Sequence, residues 1–165
     1  MTTTALRRAL GALAAIVLML GGALVAAGPA ASAAPTTPAL TAIRTGLNPG
    51  FDRIVLDLTA GAPPSVSYQL TDELIADPST EIVWLTGEYF INVNATFATA
   101  HNDNGTPTYT GPSKFRTRNL RNVMAVAVIS DFESALLIGL GVRYRSTVNV
   151  FTLTSPNRVV IDVAH

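Results

Sequence analysis

The chain has 165 residues, 48% of them apolar, with 11 basic residues against 11 acidic ones and no cysteine. A balanced charge argues against a general nucleic-acid binder. The lack of thiols excludes a disulfide framework, a cysteine nucleophile and a lipid-modified cysteine anchor.

Residues 1–33 read as a targeting segment. Arg7 and Arg8 form a short basic region, an apolar stretch runs from Leu10 to Val25, and Ala31-Ser32-Ala33 supplies a small-residue cleavage pattern. The adjacent arginines also fit twin-arginine export. The apolar stretch approaches the ~20 residues of a spanning helix, so an uncleaved anchor is the other reading. Cleavage would take 33 residues from 165 and leave 132, enough for one domain with a sizeable core and no stable membrane span. Without Arg7 and Arg8, nine basic residues face 11 acidic ones, a net charge of −2. The mean hydropathy of +0.37 is inflated by the leader. The expected location is secreted, in contact with the cell wall.

Residues 34–39, with Pro35-Thr36-Thr37-Pro38, read as a short extended linker, and 40–165 as one domain. Strand-like runs follow at 40–45, 51–59, 65–70, 81–85, 88–94, 123–130, 132–140, 148–153 and 158–163. Turn signals separate them at Asn48-Pro49-Gly50, Gly61-Ala62-Pro63-Pro64, Asn104-Gly105 and Ser155-Pro156-Asn157. Thr71 offers an N-cap for one helical turn over 71–76. Trp84, inside Ile82-Val83-Trp84-Leu85, is expected in the core. The pattern predicts an all-β fold: a pseudo-symmetric sandwich of two similar antiparallel sheets with about nine strands.

One strand occurs twice. Arg53-Ile54-Val55-Leu56-Asp57-Leu58 returns as Arg158-Val159-Val160-Ile161-Asp162-Val163. Each copy alternates with period 2, so Ile54, Leu56 and Leu58 share an apolar face, as do Val159, Ile161 and Val163. If the copies lie side by side and antiparallel, one register sets Arg53 opposite Asp162, Val55 opposite Val160 and Asp57 opposite Arg158. Two opposite-charge pairs would then flank an apolar one. The alternative puts one copy in each sheet.

These strands, with Ile43-Arg44-Thr45-Gly46, Ala100-His101-Asn102-Asp103, Tyr109-Thr110-Gly111 and the closing Phe151 to His165 segment, resemble the AMIN domain. That module precedes cell-wall amidases and some secretins. The chain is similar in particular to single-domain AMIN-like proteins that actinobacteria secrete or anchor. The resemblance implies a β-sandwich, a non-catalytic role and binding to peptidoglycan. No amidase or channel domain follows His165, so the module is expected not to target an enzyme on its own chain.

The stretch between Asn94 and Asn122 is the first place to look for a ligand site, since long loops in compact domains tend to be functional. Around Asn104-Gly105 it holds a single carboxylate, Asp103, too few for a calcium loop; a hairpin turn with self-bonding Asn and Asp is the other reading. If residues 114–118 are extended, Lys114, Arg116 and Arg118 share one face about 6.6 Å apart, with Arg121 close by. Such a row suits an anionic polymer, or else marks a charged edge strand that discourages aggregation. Arg143-Tyr144-Arg145, beyond Gly139-Leu140-Gly141 at an apparent loop tip, offers an aromatic between two guanidiniums, or a hairpin end with a half-buried ring.

Catalytic signals are sparse. Two histidines, His101 and His165, are too few for a hydrolytic zinc site by themselves. No nucleophile elbow, zinc-protease helix or phosphate loop appears. His101 and Asp103 could form a dyad, without an identified serine. The chain is therefore expected to be no enzyme and to need no metal or cofactor. Its partner is expected to be a wall polymer or, alternatively, another envelope protein docked on a sheet edge; a small secreted hydrolase is the third reading. Oligomeric state is open.

Overall fold

The structure, a computed structural model, describes residues 36–165. The expected targeting segment and its cleavage site lie outside the described residues. Among the described residues, nine strands and no helix are present, and the strands form two antiparallel sheets. The first sheet has the order β1 (Leu40–Asn48), β2 (Phe51–Leu58), β9 (Arg158–Ala164), β8 (Val148–Leu153). The second runs β3 (Ser65–Thr71), β4 (Tyr89–Thr96), β7 (Ala135–Val142), β6 (Val123–Phe132), β5 (Lys114–Arg116). Period-2 alternation turns Ile54, Leu56, Val159, Ile161 and Val163 of the first sheet onto Ile91, Val93, Leu136, Ile138 and Leu140 of the second, all essentially without solvent contact. This interleaved layer is the main core.

The two copies of the repeated strand pair with each other. Arg53 opposes Asp162, Val55 opposes Val160 and Asp57 opposes Arg158. The Arg53 guanidinium grips Asp162 with two bonds of 2.7 Å and lies over the rings of Phe51 and Phe151, at 4.9 and 5.9 Å. The bond to Asp162 holds its pKa above the usual arginine value, against a smaller opposing effect of burial. The second predicted pair forms only as a register. Asp57 instead takes Arg44 of β1 through bonds of 2.6 and 2.7 Å, while Arg158 bends back to donate to the Pro156 carbonyl. Arg44 reaches the carboxylate diagonally with its whole fork, which Arg158, at the start of its strand, does not match. A double-mutant cycle on Arg53 and Asp162, read by urea unfolding, is expected to give a coupling of about 0.5–1 kcal/mol, since the arginine remains partly solvated.

Residues 72–88 depart from the sequence expectation. No helical turn forms over 71–76; Thr71 ends β3 and its hydroxyl accepts the Glu73 N–H. Segment 81–85 joins neither sheet. Ile75 bridges Ile82, with Val83 N–H donating to Leu74 and Ala76 N–H to Glu81. The result is a two-armed flap on the outer face of the five-stranded sheet. Leu74, Ala76, Val83 and Leu85 point down and pack with Ala127, Ile129, Phe90 and Leu137 into a second small core. Trp84 points the other way: it is 80% exposed, not a core residue. The expected strand over 81–85 is thus only an isolated bridge, and its tryptophan faces solvent.

Gly139 and Gly141 lie in β7 under this flap, and Arg143-Tyr144-Arg145 follows in the loop between β7 and β8. A side chain at 139 would run into Leu74, and one at 141 would sit 2.0 Å from the Thr86 carbonyl oxygen. Gly141→Ala therefore requires the backbone of the flap to lift. It is expected to cost about 2–3 kcal/mol and to speed proteolytic cleavage within residues 72–88, which limited proteolysis would detect.

Candidate functional site

The basic residues singled out in the sequence come from β5 with the loop that follows it and from the loop after β7, and one buried pair of polar side chains ties the two loops together. Asp52 precedes Ile54 by two residues, so it points inward at the end of the core and is wholly buried. Its carboxylate accepts the backbone N–H groups of Arg121, Asn122 and Val123 at 3.1, 2.6 and 2.8 Å. The buried imidazole of His165 closes the site, with Nε2 3.7 Å away. Asn122, also wholly buried, donates to the Tyr144 carbonyl, Ser146 Oγ and the Ala164 carbonyl. Its Oδ1 accepts the N–H groups of Arg143 and Tyr144. One loop end and the next are thus fixed to the same point by fully used polar groups, as burial requires.

Strand β5 then orients the cations. Phe115 faces the core, which turns Lys114 and Arg116 outward on the open edge of the five-stranded sheet. The alternation carries through Thr117, whose N–H donates to Met124, to an exposed Arg118. It ends at Asn119, which has a positive φ of 64°, so Arg121 leaves the row. Arg143 donates from Nε to the Arg121 carbonyl at 2.9 Å. Arg116, Arg118 and Arg143 line one cleft of about 400 Å³, floored by Thr117, Leu120 and Met124.

The expected second contact divides. Arg143 joins the cleft. Tyr144 is 43% exposed with its backbone held by Asn122. Arg145 is engaged elsewhere: it bonds Asp72 at 2.6 Å and lies 4.9 Å over the Tyr89 ring. Among the described residues, none of Lys114, Arg116, Arg118, Arg121 and Arg143 has a carboxylate within 4.0 Å.

Residues 38–165 match the AMIN-like domain family. The chain belongs to that family. No curated protein and no solved structure matches it. AMIN-like domains are cell-wall-related modules of periplasmic or secreted envelope proteins, and are generally non-catalytic. Among the described residues, no helix is long and apolar enough to cross a membrane.

A larger cleft of this AMIN-like domain, about 520 Å³, opens at His101. The imidazole does pair with a carboxylate, but with Asp131 at the end of β6, Nδ1 to Oδ2 2.5 Å, rather than with Asp103. The bridge between His101 and Pro107 projects the ring toward β6, while Asn102 uses its Oδ1 to accept the N–H groups of Asn104 and Thr106. The Asn104-Gly105 stretch is thus a self-bonded hairpin turn. Ser113 and Tyr109 also line the cleft. Burial raises the Tyr109 pKa, and its hydroxyl donates to the Pro112 carbonyl. No hydrogen bond joins Ser113 to His101 among the described residues, so the nucleophile–base link that acyl-transfer chemistry needs is not assembled.

The sequence reading missed Asp52, Asn122 and Asp131. Asp52 did leave a signal, a carboxylate in phase with an apolar strand face. Asn122 and Asp131 left none.

Proposed function

We propose that this AMIN-like chain is an exported, non-catalytic envelope module that binds an anionic wall polymer through Arg116, Arg118 and Arg143, with Lys114 and Arg121 at the margins. The observation that carries the reading is the convergence of five cations without a carboxylate partner, from β5 and two loops, on one edge of a domain in which three of the other four arginines, Arg44, Arg53 and Arg145, are held by carboxylates and the fourth, Arg158, donates to the Pro156 carbonyl. Family membership supports the cell-wall setting. Guanidiniums fixed through their backbones can take carboxylates or phosphates in forked pairs with little ordering cost.

Co-sedimentation of residues 34–165 with isolated sacculi tests the reading, with and without their attached anionic polymers. Pelleting is expected, and it should weaken steeply from low salt to about 0.15 M, where the Debye length is about 8 Å. Pelleting that ignores salt, or none at all, would refute it.

A further inference from the structure

The exposed face of the flap has no task in the fold. Its lower face already seals the sheet, with Leu74 1% exposed, while Ile75, Ile82 and Trp84 on the upper face are 49%, 44% and 80% exposed. The Ile75–Ile82 bridge and the alternation to Trp84 place the three on one side. A cluster of large apolar groups left in water on an otherwise well-packed domain marks a contact surface.

The charges around it show what fits. The flap carries Glu73, Asp77, Glu81 and Glu88, none with a cation within 4.0 Å among the described residues; Asp72 alone is paired, to Arg145. The flap rests on Gly139 and Gly141 of β7. In the same cross-strand rows follow Ala127 and Ala125 of β6, then Lys114 and Arg116 of β5. Two strand spacings, roughly 10 Å, therefore separate the seat of an acidic, tryptophan-bearing flap from an unpaired basic edge. A partner of uniform charge would be repelled by one half of this face. A surface with both signs beside an apolar cluster is complementary to itself after a twofold rotation: acid meets base, base meets acid, and the apolar triplets cover each other.

We infer that the outer face of the five-stranded sheet is a self-association surface, and that its partner is a second copy of this chain. The contact is isologous, with Trp84 near its centre and the flap carboxylates of each copy against Lys114 and Arg116 of the other. Self-association would compete with a polymer for Arg116 but does not depend on that binding.

Trp84 is the only tryptophan, so its fluorescence reports the contact directly. Residues 36–165 carry all nine strands and both cores, and the chain from residue 34 on serves as the test protein. Sedimentation velocity from about 1 to about 300 µM is expected to show a monomer–dimer equilibrium, with Trp84 emission shifting to the blue as the dimer fills. Trp84→Ser, at a site that the fold does not use, should weaken dimerisation at least tenfold, on the order expected for a central aromatic anchor. Glu81→Arg and Arg116→Glu should each weaken it, and the double variant should recover most of the loss. A monomer at every concentration would overturn the proposal, as would a dimer indifferent to Trp84→Ser. So would a tryptophan shift that appears with sacculi or another protein but not with concentration. Sacculus pelleting of the same samples reports separately on polymer binding.

Discussion

Asp52→Ala is expected to cost about 3–5 kcal/mol, a large share of the 5–15 kcal/mol typical of a domain. The carboxylate is fully buried and accepts three backbone N–H groups at 2.6–3.1 Å. Alanine leaves those donors without a partner and opens a polar void beside His165. For a domain of this size the loss corresponds to a fall in Tm of roughly 10–20 °C. Asp52→Asn keeps one acceptor and should lose about half as much. Thermal unfolding by circular dichroism measures both. Hydrogen exchange adds a local test: the amides of Arg121, Asn122 and Val123 should lose protection in Asp52→Ala at temperatures where the strands stay protected. A variant that melts within about 1 kcal/mol of the parent would show that Asp52 is not the anchor. Because those amides begin the segment that leads into β6 and end the one that bears the cations, polymer binding should fall before the fold does.

Alanine at Arg116, Arg118 and Arg143 together is expected to abolish measurable binding to sacculi. Each solvated cation that meets a carboxylate or phosphate contributes on the order of 1 kcal/mol. Three amount to about 3 kcal/mol, or more than a hundredfold in affinity. Stability should barely change, since the three side chains are exposed and make no ion pair. Arg44→Ala serves as the control for each single position: it removes one cation from the outer face of the other sheet, where Asp57 already neutralises it, and should leave pelleting intact. Sacculus binding by the triple variant at the parent level would remove the cleft as the site.

Some of this architecture was open to inspection in the linear chain. The two Arg-to-Asp strands alternate apolar and polar without interruption, and only one face of each can enter a core. Their opposite charges suit one antiparallel register, against the alternative of one copy in each sheet, and the structure takes that register and forms the Arg53–Asp162 pair. The outward set of Lys114, Arg116 and Arg118 was legible for the same reason, because Phe115 between them must turn inward. Asp57 shows the limit: two arginines were available to it, and only the neighbouring strand β1 settled which one it holds.

What local pattern could not express is which layer covers a sheet from outside. Ile82, Val83, Trp84 and Leu85 are all apolar, so their alternation carries no contrast between the face against the sheet and the face in water. The identity of the covering element depends on Gly139 and Gly141, more than 50 residues away, whose missing side chains let the flap settle. The same holds for Asp52, which takes amides 69–71 residues away, for Asn122, whose partners lie 21–42 residues away, and for His101, whose carboxylate partner lies 30 residues on rather than two. Period and composition determined most of the strands and their inner faces, and the shared face of the cationic row once 114–118 is extended, since those follow from nearest-neighbour geometry along one segment. The flap, the buried hub and the exposure of Trp84 were decided in three dimensions, because each depends on contacts between segments that have no regular spacing in sequence.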